Sequence, residues 1–307
     1  MQPEPKKITL LQTCDPQVYP EMLRCSRAIN EYYAAKAGLD YSCYIGLKRG
    51  FYPWQAVFNR VFLIKEMLDS GFTGWVFYLD ADAYVADLGF DLQAYLREHA
   101  ARAFIAGPGA RAEDGWDVNS GAFLINLGHP NGRRLAELWH ADVMSTPEAH
   151  LAAAPNWHDV TSDQRRLHGI LAANPGILAD IRVEDRTFMG DVMSGFARQI
   201  LRVYAPTLEE RVAAMRTDIA AILAPLADAP LPEAARPAVL APSAPGSMAE
   251  SYALVGALYE VVLGRPADVG GLEYYAERLR SKGRAAGLQL VFQELLGSDE
   301  YRARQGA

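Results

Sequence analysis

The sequence predicts an α/β fold, a mostly parallel sheet flanked by helices, followed by a small all-helical region. Three observations carry that expectation. Short apolar runs alternate with stretches whose apolar residues recur every three or four positions, the pattern of strands and helices in turn. Hydrophobic residues make up 50% of the 307 residues, enough to build a real core. A proline- and alanine-rich stretch holding Pro225, Pro230, Pro232, Pro237, Pro242 and Pro245 then interrupts the pattern before helical periodicity returns. The expected organisation is a main domain over 1–223, an extended linker over 224–249 and a helical module over 250–307.

Residues 8–12 read as a first buried strand, 21–36 as a helix and 41–45 as a second strand. A helix follows Pro53, with Trp54, Val57, Phe58, Val61, Ile64 and Leu68 on one face. Gly71 and Gly74 end it, and residues 75–79, all apolar or aromatic, form a strand buried on both faces. Residues 92–98 read as helix and 103–106 as strand, before Gly107, Pro108 and Gly109 break the chain. A strand over 121–127, a helix over 133–143, a helix behind Ser162 and a late strand near 181–183 complete the alternation. Thr207 and Glu210 form a capping-box signature for a helix striped by Leu208, Val212, Met215, Ile219 and Ile222. In the module, Val255, Leu258, Tyr259 and Val262 share one face of a helix over 251–263 that stops at Gly264. Further helices fit 272–280, 288–296 and 299–304.

A net charge of −7 argues against a nucleic-acid binder, which would present a basic face. It leaves phosphate chemistry open, because a local metal can support it. Cys14, Cys25 and Cys43 match no metal spacing and read as buried thiols in a reducing compartment. No signal peptide or membrane span is visible, and the expected location is cytoplasmic.

The strand over 75–79 runs straight into Asp80 and Asp82. Desolvating a carboxylate is costly, so acidic side chains at the tip of an inner strand need a partner. An Asp-x-Asp pair at the carboxyl end of a sheet strand makes a small oxygen cage for a divalent cation, Mn²⁺ or Mg²⁺, that can neutralise a diphosphate. The alternative is a strand end followed by a capped turn. Other polar groups cluster at element ends. Thr13, Asp15 and Tyr19 follow the first strand, Arg60 lies on the helix before the Asp-x-Asp strand, Asn119-Ser120-Gly121 opens a later strand, and Asp163-Gln164 opens a helix.

Leu-Asp-Ala-Asp over 79–82 and Asn-Ser-Gly-x-x-Leu-Ile-Asn over 119–126, in that order, resemble the metal-dependent, retaining GT-A glycosyltransferases, the group containing galactosyl-, xylosyl- and mannosyltransferases. The likeness covers 8–202. It implies a Rossmann-like GT-A sheet and sugar transfer from a nucleotide-sugar donor, a uridine diphosphate sugar being expected, to a glycan, lipid-linked or protein acceptor. It also implies roles. Thr13, Asp15 and Tyr19 would line the base and ribose pocket, the alternative being a strand end with an Asx-turn. Arg60 would reach the donor diphosphate or sugar, where its planar fork suits oxyanions; otherwise it is a solvated helix charge. Asp80 would touch ribose and metal, and Asp82 the metal. Asn119, Ser120 and Gly121 would face the donor sugar, or form a plain turn. Asp163 and Gln164 would sit where the acceptor enters, or only cap a helix. There the Gln164 amide would stabilise an electron-poor sugar carbon during front-face transfer, with Asp163 as a covalent nucleophile the alternative.

The family's third metal ligand is a histidine in a Gly-Asp-x-x-x-His-Phe-like segment. Here Gly190-Asp191-Val192-Met193-Ser194-Gly195-Phe196 carries glycine at that place. His158, His168 and Asp191 are the possible substitutes. The departure also opens a second reading, a non-catalytic, degenerate transferase acting as a binding or adaptor protein. A metal-dependent phosphatase is a third, although Tyr84 stands where those enzymes want a small β-branched residue. In the tail, Leu258-Tyr259-x-x-Val262-Leu263-Gly264-Arg265-Pro266-Ala267-Asp268, then Gly271-Leu272-x-Tyr274 and Ser298-x-Glu300-Tyr301, resembles a bacterial helical module of the phycobilisome-linker-like type. That module has no assigned function in general; the functional reading is docking of an acceptor or partner protein through an exposed face, and the alternative for its tyrosines is core packing.

Overall fold

The computed structural model describes residues 7–111, 113–227 and 248–305. Apart from a helical turn over Ala224–Leu226, most of the linker expected over 224–249 lies outside the described residues. The elements run β1 (Ile8–Cys14), α1 (Pro20–Ala37), β2 (Asp40–Ile45), a 3₁₀ turn (Pro53–Phe58), α2 (Asn59–Asp69), β3 (Trp75–Asp80), β4 (Ala83–Val85), α3 (Leu92–Glu98), β5 (Phe104–Pro108) and β6 (Val118–Asn126). They continue with α4 (Pro130–Met144), α5 (Glu148–Ala152), α6 (Asp163–Ala173), α7 (Pro175–Leu178), β7 (Ile181–Val183), β8 (Ala197–Gln199) and α8 (Leu208–Leu223), and end with α9 (Met248–Leu263), α10 (Val269–Lys282), α11 (Arg284–Leu296) and α12 (Asp299–Gln305). The chain groups into two compact units. One comprises the chain up to Leu23 with Leu39–Leu201; the other comprises Arg24–Gly38 with the chain from Arg202 on.

The first unit is built on a six-stranded sheet in the order β2-β1-β3-β6-β5-β7. β2, β1 and β3 are parallel, β6 runs antiparallel between β3 and β5, and β7 is parallel to β5. Burial of both faces of β3 follows from its alternation. Val76 and Tyr78 join Phe58, Val61 and Ile64, Phe123 and Ile125 of β6, and Leu135 and Trp139 of α4 in the core. Phe77 faces the other way and stacks on Phe196, ring centres 5.5 Å apart. A short antiparallel pair, β4 with β8, forms a second sheet.

Two sequence expectations change here. The break expected at Gly107 is an irregular continuation of β5, whose pairing shifts between Ala106 and Pro108. A Cβ on Gly107 would lie 2.3 Å from the Met189 carbonyl oxygen, so glycine serves close backbone approach there. Cys14 and Cys25 are buried, whereas Cys43 is only half-buried, because β2 is an edge strand.

In the second unit, Thr207 and Glu210 cap α8 reciprocally: Thr207 N–H donates to Glu210 Oε2 at 2.9 Å and Glu210 N–H to Thr207 Oγ1 at 3.1 Å. Arg265 places its fork on Glu300 at 2.6 and 2.7 Å, joining two pieces of the tail motif. Tyr259 is buried and a Cβ on Gly271 would meet its hydroxyl, so these motif residues pack, while Tyr274 stays exposed. Glu31, fully buried, lies between Arg27 and Arg284, and Tyr32 sets its ring edge on Phe292. Among the described residues no helix is long and apolar enough to cross a membrane.

Candidate active site

Strand register assembles the polar groups at one edge of the sheet. Thr13 pairs with Asp80 across β1 and β3. Because β6 is antiparallel, Leu79 faces Ala122, and Asn119–Gly121 at the start of β6 lie beside the carboxyl end of β3. Ser162 caps α6 by accepting the Arg165 N–H, and Trp139 donates its indole N–H to the Asp163 carbonyl at 3.0 Å, fixing the first turn of α6 on α4. Opposite Ala83, β8 places Gln199 next to Asp82.

Arg60 is the hub. The solvated alternative does not hold, since only 3% of the residue is exposed. Its Nη2 donates to Asp80 Oδ1 at 2.7 Å, Nε lies 3.3 Å from Asp163 Oδ2 and donates to the Val57 carbonyl, and Nη1 donates to the Ser120 carbonyl. The guanidinium lies over the Tyr78 ring at 4.6 Å, and the Tyr78 hydroxyl donates to Asp80 Oδ1 at 2.9 Å. Burial disfavours the charged guanidinium, but Asp163 and Asp80 together outweigh it and hold Arg60 protonated. Burial pushes the Asp80 carboxyl up to about 7; Arg60 opposes this, while Asp82 and Asp163 add to it. Burial likewise raises Asp163, against Arg60. Three carboxylates around one guanidinium leave an excess of negative charge that suits a cation.

Asp80 and Asp82 are half-buried and converge on the Gln199 amide, 3.4 Å from Asp80 Oδ2 and 3.0 Å from Asp82 Oδ1. Gln199 in turn accepts from Asn119. The Ser120 N–H donates to Gln164 Oε1 at 3.1 Å, and the Ser120 hydroxyl lies 3.1 Å from Gln164 Oε1 and 3.3 Å from Asp163 Oδ2. Arg60, Asp80, Asp82, Asn119, Ser120, Gly121, Asp163 and Gln164 therefore form one connected cluster. Gly121 is constrained by protein rather than open space, because a Cβ there would sit 2.3 Å from Gln199 Nε2.

The groups expected at the base pocket lie along the same edge. Thr13 accepts from Asn59 Nδ2 at 3.1 Å. Asp15 accepts the N–H groups of Gln17, Val18 and Tyr19 at 2.7, 2.5 and 3.1 Å, an Asx-turn leading into α1. Tyr19 is half-buried just ahead of that helix. Of the substitute ligands, Asp191 lies beside Gln199, whose backbone N–H donates to the Asp191 carbonyl at 3.3 Å. His168 Nε2 lies 2.8 Å from the Val118 carbonyl and 3.4 Å from Asp117, and His158 is exposed. Asp191 accepts from Met193 N–H within its own loop. Among the described residues no group of three His, Cys, Asp or Glu side chains could hold a metal. Two members of the site escape sequence reasoning. Asn59 sits one residue from Arg60, a weak signal, and Gln199 carries none, since it comes from a three-residue strand far along the chain.

No protein-family model matches the sequence, and no curated protein matches it. By structure, the chain is similar to a glycosyltransferase involved in the glycosylation of the major capsid of PBCV-1, at 14% identity over 68% of this chain and 98% of that one, with a TM-score of 0.52. Mouse xyloside xylosyltransferase 1 aligns at 12% identity over 69% of this chain and 94% of its own, with a TM-score of 0.37. The glycosyltransferase GlyE of Streptococcus pneumoniae TIGR4 aligns at 13% identity over 60% and 46%, with a TM-score of 0.36. The first likeness shows the fold: the sheet and its flanking helices have the architecture of a glycosyltransferase.

Proposed function

We propose that the protein is a retaining glycosyltransferase that moves a sugar from a nucleotide-sugar donor, a uridine diphosphate sugar, to a glycan, lipid-linked or protein acceptor. The observation that carries this reading is the convergence of Asp80, Asp82, Asn119, Ser120, Asp163 and Gln164 at the carboxyl edge of a sheet with glycosyltransferase architecture. Asp80 and Asp82 would hold Mn²⁺ or Mg²⁺. Two carboxylates suit such an ion, because Mg²⁺ keeps several waters and takes its remaining ligands from substrate phosphates. When bound, it supplies charge neutralisation for the diphosphate leaving group.

The other side chains bind and orient. Gln164 keeps its Oε1 on the Ser120 N–H and so turns its amide N–H groups toward other partners, as a donor to an oxygen of the sugar or the leaving group. Asp163 is engaged by Arg60 and Ser120, which favours a positioning role over covalent attack. In front-face transfer the departing phosphate takes the acceptor proton, so the chain need supply no general base.

The test is release of nucleoside diphosphate from a panel of nucleotide sugars with Mn²⁺ or Mg²⁺. Asp82→Ala is expected to lower release by about 100-fold or more; undiminished turnover would refute its role. The two-carboxylate donor set favours one second reading, a binding protein descended from a transferase. Calorimetric binding of uridine diphosphate and Mn²⁺ without turnover of any sugar in the panel would support that reading.

A further inference from the structure

We propose that Gln199 is a positioning residue of the aspartate pair. It is an amide donor of fixed polarity that stands beside both carboxylates and leaves the cation to bind through Asp80, Asp82 and the donor's own phosphates. The proposal rests on reading Asp80 and Asp82 as a cation site.

The polarity is fixed from the backbone outward. The Gly121 N–H can only donate, and its acceptor is Asn119 Oδ1 at 2.7 Å. Asn119 Nδ2 therefore faces the other way. It donates to the Gly190 carbonyl, which can only accept, at 2.9 Å, and to Gln199 Oε1 at 2.9 Å. The remaining end of Gln199, Nε2, then points at the carboxylates, with one N–H available for each. Rotating the Gln199 amide by half a turn would set its Nε2 against Asn119 Nδ2, two donors face to face. An N–H cannot ligate a cation, so Gln199 does not replace the missing histidine as a ligand.

The surroundings are shaped to this relay. Gln199 is 5% exposed. Its backbone is held by pairing with Ala83, and the next residue, Ile200, donates its N–H to the Asp82 carbonyl at 3.0 Å. Two glycines leave room for the two amides. A Cβ on Gly121 would lie 2.3 Å from Gln199 Nε2, and one on Gly190, whose φ is +92°, would lie 2.7 Å from Asn119 Nδ2. Before a cation arrives, the Gln199 N–H groups offset part of the repulsion between two adjacent carboxylates. The consequence for substrate is specific: cation and nucleoside diphosphate bind together, each completing the site for the other.

The test is Mn²⁺ binding to the full chain, followed by calorimetry and electron paramagnetic resonance, with and without uridine diphosphate. Wild type is expected to bind Mn²⁺ weakly alone and tightly with the nucleotide. Gln199→Ala should lower Mn²⁺ affinity by about tenfold, because the group that orients both carboxylates is lost. Gln199→His should tighten it by about tenfold or more. Asn119→Asp removes the donor that holds Gln199 Oε1, so it should tighten Mn²⁺ binding in a way that Asn119→Asp combined with Gln199→Ala does not. An unchanged Mn²⁺ affinity in Gln199→Ala would overturn the positioning role, and an Asn119→Asp effect that is the same with and without Gln199 would overturn the fixed polarity. If wild type takes up no Mn²⁺ even with nucleotide, the cation-site reading fails, and the relay is decided separately by NMR of the metal-free protein. The Gln199 side-chain amide signals, assigned by their loss in Gln199→Ala, should resist solvent exchange and shift in Asp82→Asn; a freely exchanging pair overturns the relay.

Discussion

Arg60 lies three residues after Val57 and four before Ile64, on the buried stripe of its own helix. That spacing allows burial but equally a solvated helix charge, and the structure decides for burial. What the spacing does not give is the set of partners, because Asp80, Ser120 and Asp163 arrive from three other elements. Arg60→Ala leaves the buried Asp163 and the half-buried Asp80 without their cation and is expected to destabilise the fold by about 3 kcal/mol. Arg134→Ala, at a side chain 60% exposed, should cost less than about 0.5 kcal/mol. Urea denaturation of both variants checks the contrast. Asp15 shows the opposite kind of legibility. Its place after β1 allowed either a ribose contact or an Asx-turn, and three backbone N–H groups occupy its carboxylate.

At the scale of elements, β3 is the most legible strand, because five consecutive apolar or aromatic residues fit only a strand buried on both faces or a helix too short to stand alone. Direction is not written in such a run. β6 reads as one more apolar strand, yet it runs antiparallel, and this brings its first residues rather than its last beside Asp80. β4 and β8 have three residues each and make a sheet of two strands, so no periodicity announces them. A second tie joins α3 to the end of β7: Tyr95 and Arg182 both hydrogen-bond to Glu184. Burial tends to raise the Glu184 carboxyl, but the Arg182 and Tyr95 hydrogen bonds outweigh it and hold Glu184 below the ordinary glutamate range. A depressed folded pKa contributes stability above the unfolded value of about 4.3, and that stability is lost as pH falls through the lower folded value. Wild type should therefore exceed Glu184→Gln in urea midpoint at neutral pH, with the gap closing toward pH about 3.

At the scale of the whole chain, the surprise is the company kept by Arg24–Gly38, which groups with the helices from Arg202 on. Glu31 carries that grouping. Its Oε1 lies 2.6 Å from Arg27 Nε, its Oε2 accepts from Arg284 Nε at 3.0 Å, and its side chain has no exposure. Beside it the Tyr32 hydroxyl donates to Gln289 Oε1 at 2.8 Å. Glu31→Ala removes a buried carboxylate from two guanidinium groups and is expected to cost about 3 kcal/mol, the low end for a broken buried pair because Arg284 reaches water. Chemical denaturation of the full chain measures it, and a change below about 0.5 kcal/mol would contradict the buried-charge argument.

By itself the sequence determined the α/β class, the extent of most helices and strands, and the presence of acidic and amide residues at element ends. Those features depend on local periodicity and on caps a few residues long, as Ser162 ahead of Asp163 illustrates. Only the tertiary structure decided which ends meet: the antiparallel turn of β6, the seating of Gln199 against Asp80 and Asp82, and the union of Arg24–Gly38 with the later helices. Each of these joins residues dozens to hundreds of positions apart. Such pairings are selected by the packing and hydrogen bonding of the whole chain at once, and no window along the sequence contains both partners.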